Sequence, residues 1–133
     1  MAITTYVNPE ALHVNPAYTQ AVRVSAAADL VYVGGQNGVD ASGTVVGSDL
    51  ASQTRQAFAN LQECLTAAGA SIYDVVKWTI LVRDGQPLED GLAAFNEVWG
   101  AHPNPPAITM AYVPGLGVPD AVVEIEAVAA IAG

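Results

Sequence analysis

Asp74-Val75-Val76-Lys77-Trp78-Thr79-Ile80-Leu81-Val82 is the stretch on which the fold turns. Its near-continuous run of β-branched, aromatic and aliphatic residues predicts a strand buried on both faces of a sheet. The segments on either side follow a different period. Upstream, Leu50, Thr54, Ala57, Phe58, Leu61, Cys64, Leu65 and Ala68 recur every three or four residues, predicting a helix from about Leu50 to Ala68. Ser48 or Asp49 offers its N-cap and Gly69 the residue just past its end. On that stripe Cys64 reads as a small buried hydrophobe. Downstream, Leu88, Leu92, Phe95, Val98 and Trp99 share one face of a second helix, from about Pro87 to Trp99.

Working outward, Ala21–Val24 and Leu30–Val33 are strand-like and separated by Ser25 to Asp29, which predicts a hairpin. The Asn-Pro steps between Asn8 and Pro16 favour turns. Gly34-Gly35-Gln36-Asn37-Gly38 interrupts the strand pattern, Asp40 to Gly43 reads as a turn, and a small strand fits near Val45. The glycine cluster lacks the spacing and the following Lys-Ser/Thr of a phosphate loop. Beyond Pro103, Pro105 and Pro106 come a strand from Ala107 to Val113, a turn region from Pro114 to Pro119 and a last strand from Ala121 to Ala130. The order β-β-α-β-α-β-β places two amphipathic helices on one face of a mixed sheet. That is a two-layer α+β domain, single across residues 1–133.

Composition narrows the function. The chain is 52% hydrophobic and only 13% charged, roughly half the ~25% of an ordinary soluble domain. So few charges leave apolar surface uncovered, and such surface marks association. An oligomer is expected. Four Lys and Arg stand against thirteen Asp and Glu, for a net charge of -9. Four dispersed cations cannot build a phosphate-neutralising patch, so neither nucleic acid nor an anionic membrane is expected as a partner. A single cysteine, no visible secretory signal and apolar runs too short for a bilayer lead to the expectation of a soluble, cytoplasmic protein. His13 and His102 stand apart from other ligand types, so no metal site is expected.

The last strand carries the chemistry. In Val122-Val123-Glu124-Ile125-Glu126-Ala127-Val128, alternation puts Glu124 and Glu126 on one face with Val122 and Val128, and Val123, Ile125 and Ala127 on the other. Two carboxylates on so apolar a strand need donors or water. Either this face is a rim or subunit interface, or one of them lines a pocket and serves as a general acid or base. Spacing does not choose between the two glutamates.

Several spaced motifs together resemble the Rid family (YjgF/YER057c/UK114). They are Ala17-Tyr18-Thr19-Gln20-Ala21-Val22, Val31-Tyr32-Val33-Gly34-Gly35-Gln36, Gln53-Thr54-Arg55-Gln56 with Asn60-Leu61, and Ala68-Gly69-Ala70-Ser71 with Asp74-Val75-Val76-Lys77. Phe95-Asn96-Glu97-Val98-Trp99 and Val123-Glu124-Ile125-Glu126-Ala127-Val128-Ala129 complete the set. The resemblance implies a chorismate-mutase-like fold and a barrel-like homotrimer with small-molecule clefts between subunits. It also implies enamine or imine deamination without metal or organic cofactor. It marks Glu124 and Tyr18 as catalytic, with Glu124 orienting the attacking water. Gly34, Gly35, Asn96, Ile108 and Thr109 are marked as substrate-binding.

Two positions depart from the pattern. Where deaminase members read P-A-R-S/T, this chain reads Pro106-Ala107-Ile108-Thr109, so the arginine that grips a substrate carboxylate is Ile108. The serine of the S-G-Q motif is Gly34. A charge-assisted hydrogen bond contributes roughly 1.5–3 kcal/mol, so losing a bidentate arginine weakens carboxylate binding by about two decades or more. 2-Imino acids are therefore expected to be poor substrates. Two functions follow: hydrolysis of a neutral or cationic imine or enamine with water held by Glu124, or a non-catalytic trimer binding a small molecule or partner. The acidic balance disfavours a ribonuclease. Among the remaining cations, Arg55 is the first to weigh as a replacement reaching in from a neighbouring subunit, against its plainer role as an exposed first-turn residue.

Overall fold

The computed structural model describes residues 2–133. Its elements are β1 (Thr4–Val7), β2 (Ala21–Val24), β3 (Ala28–Gln36), α1 (Leu50–Ala67), β4 (Val75–Arg83), α2 (Leu88–Trp99), β5 (Ala107–Val113) and β6 (Val123–Ala132). A single 3₁₀ turn, Ile72–Asp74, leads into β4.

The ends of α1 are set by local chemistry. Asp49 is the N-cap, its Oδ2 accepting from Ser52 N at 2.9 Å. At the other end Gly69 adopts φ +84°, Ala70 N donates to Leu65 O and Gly69 N to Thr66 O. These are the two bonds of a Schellman ending, which needs a residue tolerant of positive φ.

The main sheet has the order β3-β6-β4-β5, with β4 and β5 parallel and the other pairs antiparallel. The mixed sheet follows from connectivity, because α2 carries the chain from β4 back to the same end for β5. Both helices lie on one face. Beneath α1, Trp78, Val82, Val123, Ile125 and Ala127 meet Phe58, Leu61 and Leu65 in the buried core. Phe58 packs edge-on to Trp78 with ring centroids 5.5 Å apart.

Four sequence expectations change. β2 and β3 do not form a hairpin: β2 pairs with β1, from Thr4↔Val24 to Val7↔Ala21, and β3 pairs with β6. Ser25 O does accept from Ala28 N in a tight turn, but Ser25 N is already committed to Ile3 O. The strands therefore leave the turn toward different partners. The strand near Val45 shrinks to a single bridge, Val39↔Val45. The outer face of β4 is not buried within the chain, since Lys77, Thr79 and Leu81 stay partly exposed. Cys64 is exposed. Its side of α1 is covered at Gln53 and Asn60 by residues 37, 39, 47 and 120, and Cys64 lies a turn beyond the last of these contacts.

Three surface carboxylates tie stability to pH. Asp40 is held below the usual carboxylate range by the Ser42 hydroxyl it accepts from. Asp49 is held below the usual carboxylate range by the Ser52 backbone N–H it accepts from, and Glu97 by the Arg55 guanidinium hydrogen-bonded to it. Folded values below the unfolded range of about 3.9–4.3 make their stabilisation present above that range. It is lost as pH falls through the folded values. The melting temperature is thus expected to drop on acidification below about pH 4. In Asp49→Asn, which keeps a capping oxygen without a titrating group, the drop should be shallower in thermal unfolding between pH 2 and 7. An unchanged slope would remove Asp49 from this role.

Candidate functional site

The second helix meets the sheet through Phe95, whose ring lies edge-on to Trp78 with centroids 6.4 Å apart, and leans mainly on the first helix. Gly91 makes this possible, since a Cβ there would sit 3.0 Å from Leu50 Cδ2. The Phe95 ring lies 5.4 Å from that of Phe58, tilted by 51°, and Arg55 grips Glu97 through Nε and Nη2 at 2.9 and 3.0 Å. A cleft of about 530 Å³ lies between α2 and strands β4 and β5. Ile80, Ile108 and Met110 form its floor, while Leu92 and Phe95 form its roof. Its polar side chains are Tyr18, Thr54, Asn96 and His102. Among the described residues, no Asp, Glu, Lys or Arg lines it.

Tyr18 reaches the cleft because the neighbouring residue is pinned. Buried Thr19 donates its N–H to Pro106 O at 3.1 Å and its hydroxyl to Pro105 O. Thr54 Oγ1 is buried in the cleft wall with no hydrogen-bond partner. Ile108 is half-buried and Asn96 exposed at the rim.

The other marked residues sit elsewhere. Val123 and Ile125 line the cleft, so alternation turns Glu124 to the opposite, uncovered face, opposite Leu81 in the β4 register. There the ladder slips between Val33↔Ala127 and Gln36↔Ile125, leaving Gly34 and Gly35 against Glu126 alone. This is a bulge of two residues against one. Gly35 leaves room for the glutamate at it: a Cβ would fall 2.7 Å from both Cδ and Oε2 of Glu124 and push that side chain aside. The half-buried Glu124 carboxylate accepts from Asn37 Nδ2 at 3.4 Å, and the same nitrogen donates to Val123 O at 2.9 Å. Asn37 is itself anchored by Asn60 Nδ2, which donates to Asn37 O at 3.1 Å. Thr109 is exposed on this face too, its hydroxyl accepting from Lys77 Nζ. Glu126 is exposed, opposite Thr79.

Within one chain the marked residues therefore form two groups. Tyr18, Asn96 and Ile108 border the cleft; Gly34, Gly35, Glu124 and Thr109 lie across the sheet from it. Arg55 belongs to neither group, since Glu97 engages it on the surface. Asn37 and Thr19 went unmarked in the sequence because a buried side-chain-to-backbone bond leaves no periodic signature. Asn37 had only its place in a glycine cluster, and Thr19 only its place beside Tyr18, to signal them. Among the described residues, no group of three or more His, Cys, Asp or Glu side chains gathers to hold a metal ion, and no helix is long and apolar enough to cross a membrane.

Residues 8–131 match the family described as Endoribonuclease L-PSP. A RutC family protein of Pyrococcus horikoshii is 32% identical over 118 residues, 84% of this chain and 85% of that one. A 2-iminobutanoate/2-iminopropanoate deaminase of Rattus norvegicus is 45% identical over 69 residues, but the match spans only 51% of this chain and 48% of the deaminase. Among solved structures, a protein of unknown function from the conserved Rid family of Yersinia pestis shares the fold with a TM-score of 0.84. It is 30% identical, over 98% of this chain and 100% of that one.

Proposed function

We propose that this chain, which belongs to the Rid (YjgF, endoribonuclease L-PSP) family, hydrolyses an uncharged imine or enamine in a cleft completed by a second copy of itself. The observation that carries the reading is the uncharged cleft. Ile108 stands in its wall where a carboxylate-gripping arginine would be needed, and among the described residues no cation lines it. A carboxylate entering it would lose its hydration without gaining a partner. An uncharged C=N compound meets no such penalty.

Glu124 supplies the base. Gly35 leaves it room, Asn37 gives it one donor, and its remaining lone pairs are free to take a proton from water. Water oxygen bonds to the C=N carbon as the carboxylate accepts the water proton. The nitrogen takes that proton back from the carboxyl. As the C–N bond breaks, the former water oxygen gives up its second proton through the same carboxylate to the departing nitrogen. This leaves a carbonyl compound and an amine, or ammonia where the nitrogen is unsubstituted. Because the sheet separates Glu124 from the cleft of its own chain, the base must come from another copy. The partly exposed outer face of β4 and β6, with Tyr32 73% exposed beside it, supports association there, and we assign the assembly as a homotrimer on the family's pattern. A ribonuclease reading fits poorly with a net charge of -9.

The test generates imines in situ, with an amine oxidase for those lacking a carboxylate and an amino-acid oxidase for 2-imino acids, and follows ammonia release. Wild type should accelerate hydrolysis of the first class and leave the second near the buffer rate. Glu124→Gln should lose about 100-fold or more. A faster rate on 2-imino acids, or full activity in Glu124→Gln, would overturn the assignment. The separation of Glu124 from the cleft favours one second reading, a binding protein without turnover. It takes over if wild type is inert on both classes.

A further inference from the structure

We propose that His102 is the polar group by which the cleft reads its ligand, its Nε2 accepting a hydrogen bond from an N–H or O–H on a flat, uncharged, otherwise apolar molecule. This rests on the cleft assigned above but not on turnover. Three contacts fix the residue. Its ring lies on Tyr73 with centroids 3.9 Å apart and planes 11° from parallel. Trp99 meets it edge-on at 5.3 Å and donates its Nε1–H to His102 O at 3.0 Å. Finally, Nδ1 lies 2.6 Å from Pro103 O.

The last contact determines the tautomer. A carbonyl oxygen only accepts, so Nδ1 carries a hydrogen, and whenever the ring is uncharged its lone pair lies on Nε2. An acceptor with its ring plane, backbone and tautomer all held in advance has little left to lose on binding. His102 lines the cleft, where Tyr18 is the only other titratable side chain among the described residues. The cleft's volume falls within the range of small-molecule sites. Phe58, Phe95 and Trp99 present aromatic rings to it, which suits edge or offset contact with a flat ligand. Among the described residues the chain's own lining holds neither a cation nor a carboxylate, so an anionic ligand finds no counter-charge there.

Indole and 1-methylindole separate the hydrogen bond from the shape, because only indole has the N–H. Each is titrated into the full ¹⁵N-labelled chain, with affinity taken from amide shifts and the His102 Nε2 resonance followed directly. Indole should bind about threefold to tenfold more tightly, and it alone should move the Nε2 resonance. In His102→Phe, which keeps a ring over Tyr73, the two probes should bind equally. Equal wild-type affinities, a preference that survives His102→Phe, or failure of both probes to bind would overturn the proposal. The probe pair on wild type decides the matter even if the variant does not fold. Selective indole binding by a chain inert toward imines would remove the catalytic reading and leave this one standing. Hydrolysis without that selectivity would do the reverse.

Discussion

Gln53→Leu is expected to cost about 3 kcal/mol of folding stability. Gln53 has no exposed surface. Its Oε1 accepts from Val122 N at 2.8 Å, and its Nε2 donates to Asp120 O at 3.1 Å and Gly47 O at 3.3 Å. One α1 side chain thus closes the loop before the helix and the turn before β6. Leucine matches the size but leaves one backbone N–H and two carbonyls without their partner. A buried group left unsatisfied costs roughly 1–3 kcal/mol, and the carbonyls recover part of that from water. The neighbouring backbone cannot relax easily. Gly38 already packs so closely that a Cβ on it would sit 2.6 Å from Gln53 Cα. Chemical denaturation of Gln53→Leu beside Gln62→Ala, an exposed position on the same helix with an expected change within about 0.5 kcal/mol, measures the difference. A loss below about 1 kcal/mol would show that the three bonds matter little.

The same residue marks where sequence pattern stops being informative. Periodicity found α1, α2 and β4 to within a residue or two, because their buried faces are apolar and repeat with the element's own period. Gln53 is as buried as Leu61 yet polar, so a search for apolar repeats passes over it; only its place in a family-like motif drew notice. The hairpin expectation failed for a related reason. β2 and β3 have the right residues and a tight turn between them, but pairing depends on partners distant in sequence. Thr4–Val7, the true partner of β2, is too short and too close to Asn8-Pro9 to stand out. The site shows the sharpest limit. Alternation correctly put Glu124 and Ile125 on opposite faces, and the resemblance named both Glu124 and Ile108. That Ile108 shares the face of Ile125 depends on the parallel register Trp78↔Ile108 and on how β6 lies beside β4. No local pattern encodes that register.

Placement on the cleft face makes Ile108→Arg the most informative change of ligand preference. Wild type should bind benzamide and reject benzoate, molecules of nearly one shape that differ in charge. In Ile108→Arg the guanidinium enters an apolar wall where, among the described residues of its own chain, no carboxylate lines the cleft to pair with it, so the ligand-free variant should melt at a lower temperature than wild type. The side chain is long enough to lay its stem over Ile80 and Phe95 and carry the charge toward the rim at Asn96. Benzoate then meets a planar, permanently charged fork, and two charge-assisted hydrogen bonds of roughly 1.5–3 kcal/mol each amount to about two decades or more in affinity. The melting temperature should rise with benzoate in the variant and stay unmoved by it in wild type. Calorimetric titration of both ligands into both proteins reads the crossover directly. If benzoate already binds wild type as well as benzamide does, some cation outside the described lining serves the cleft, and the uncharged-substrate assignment falls with it.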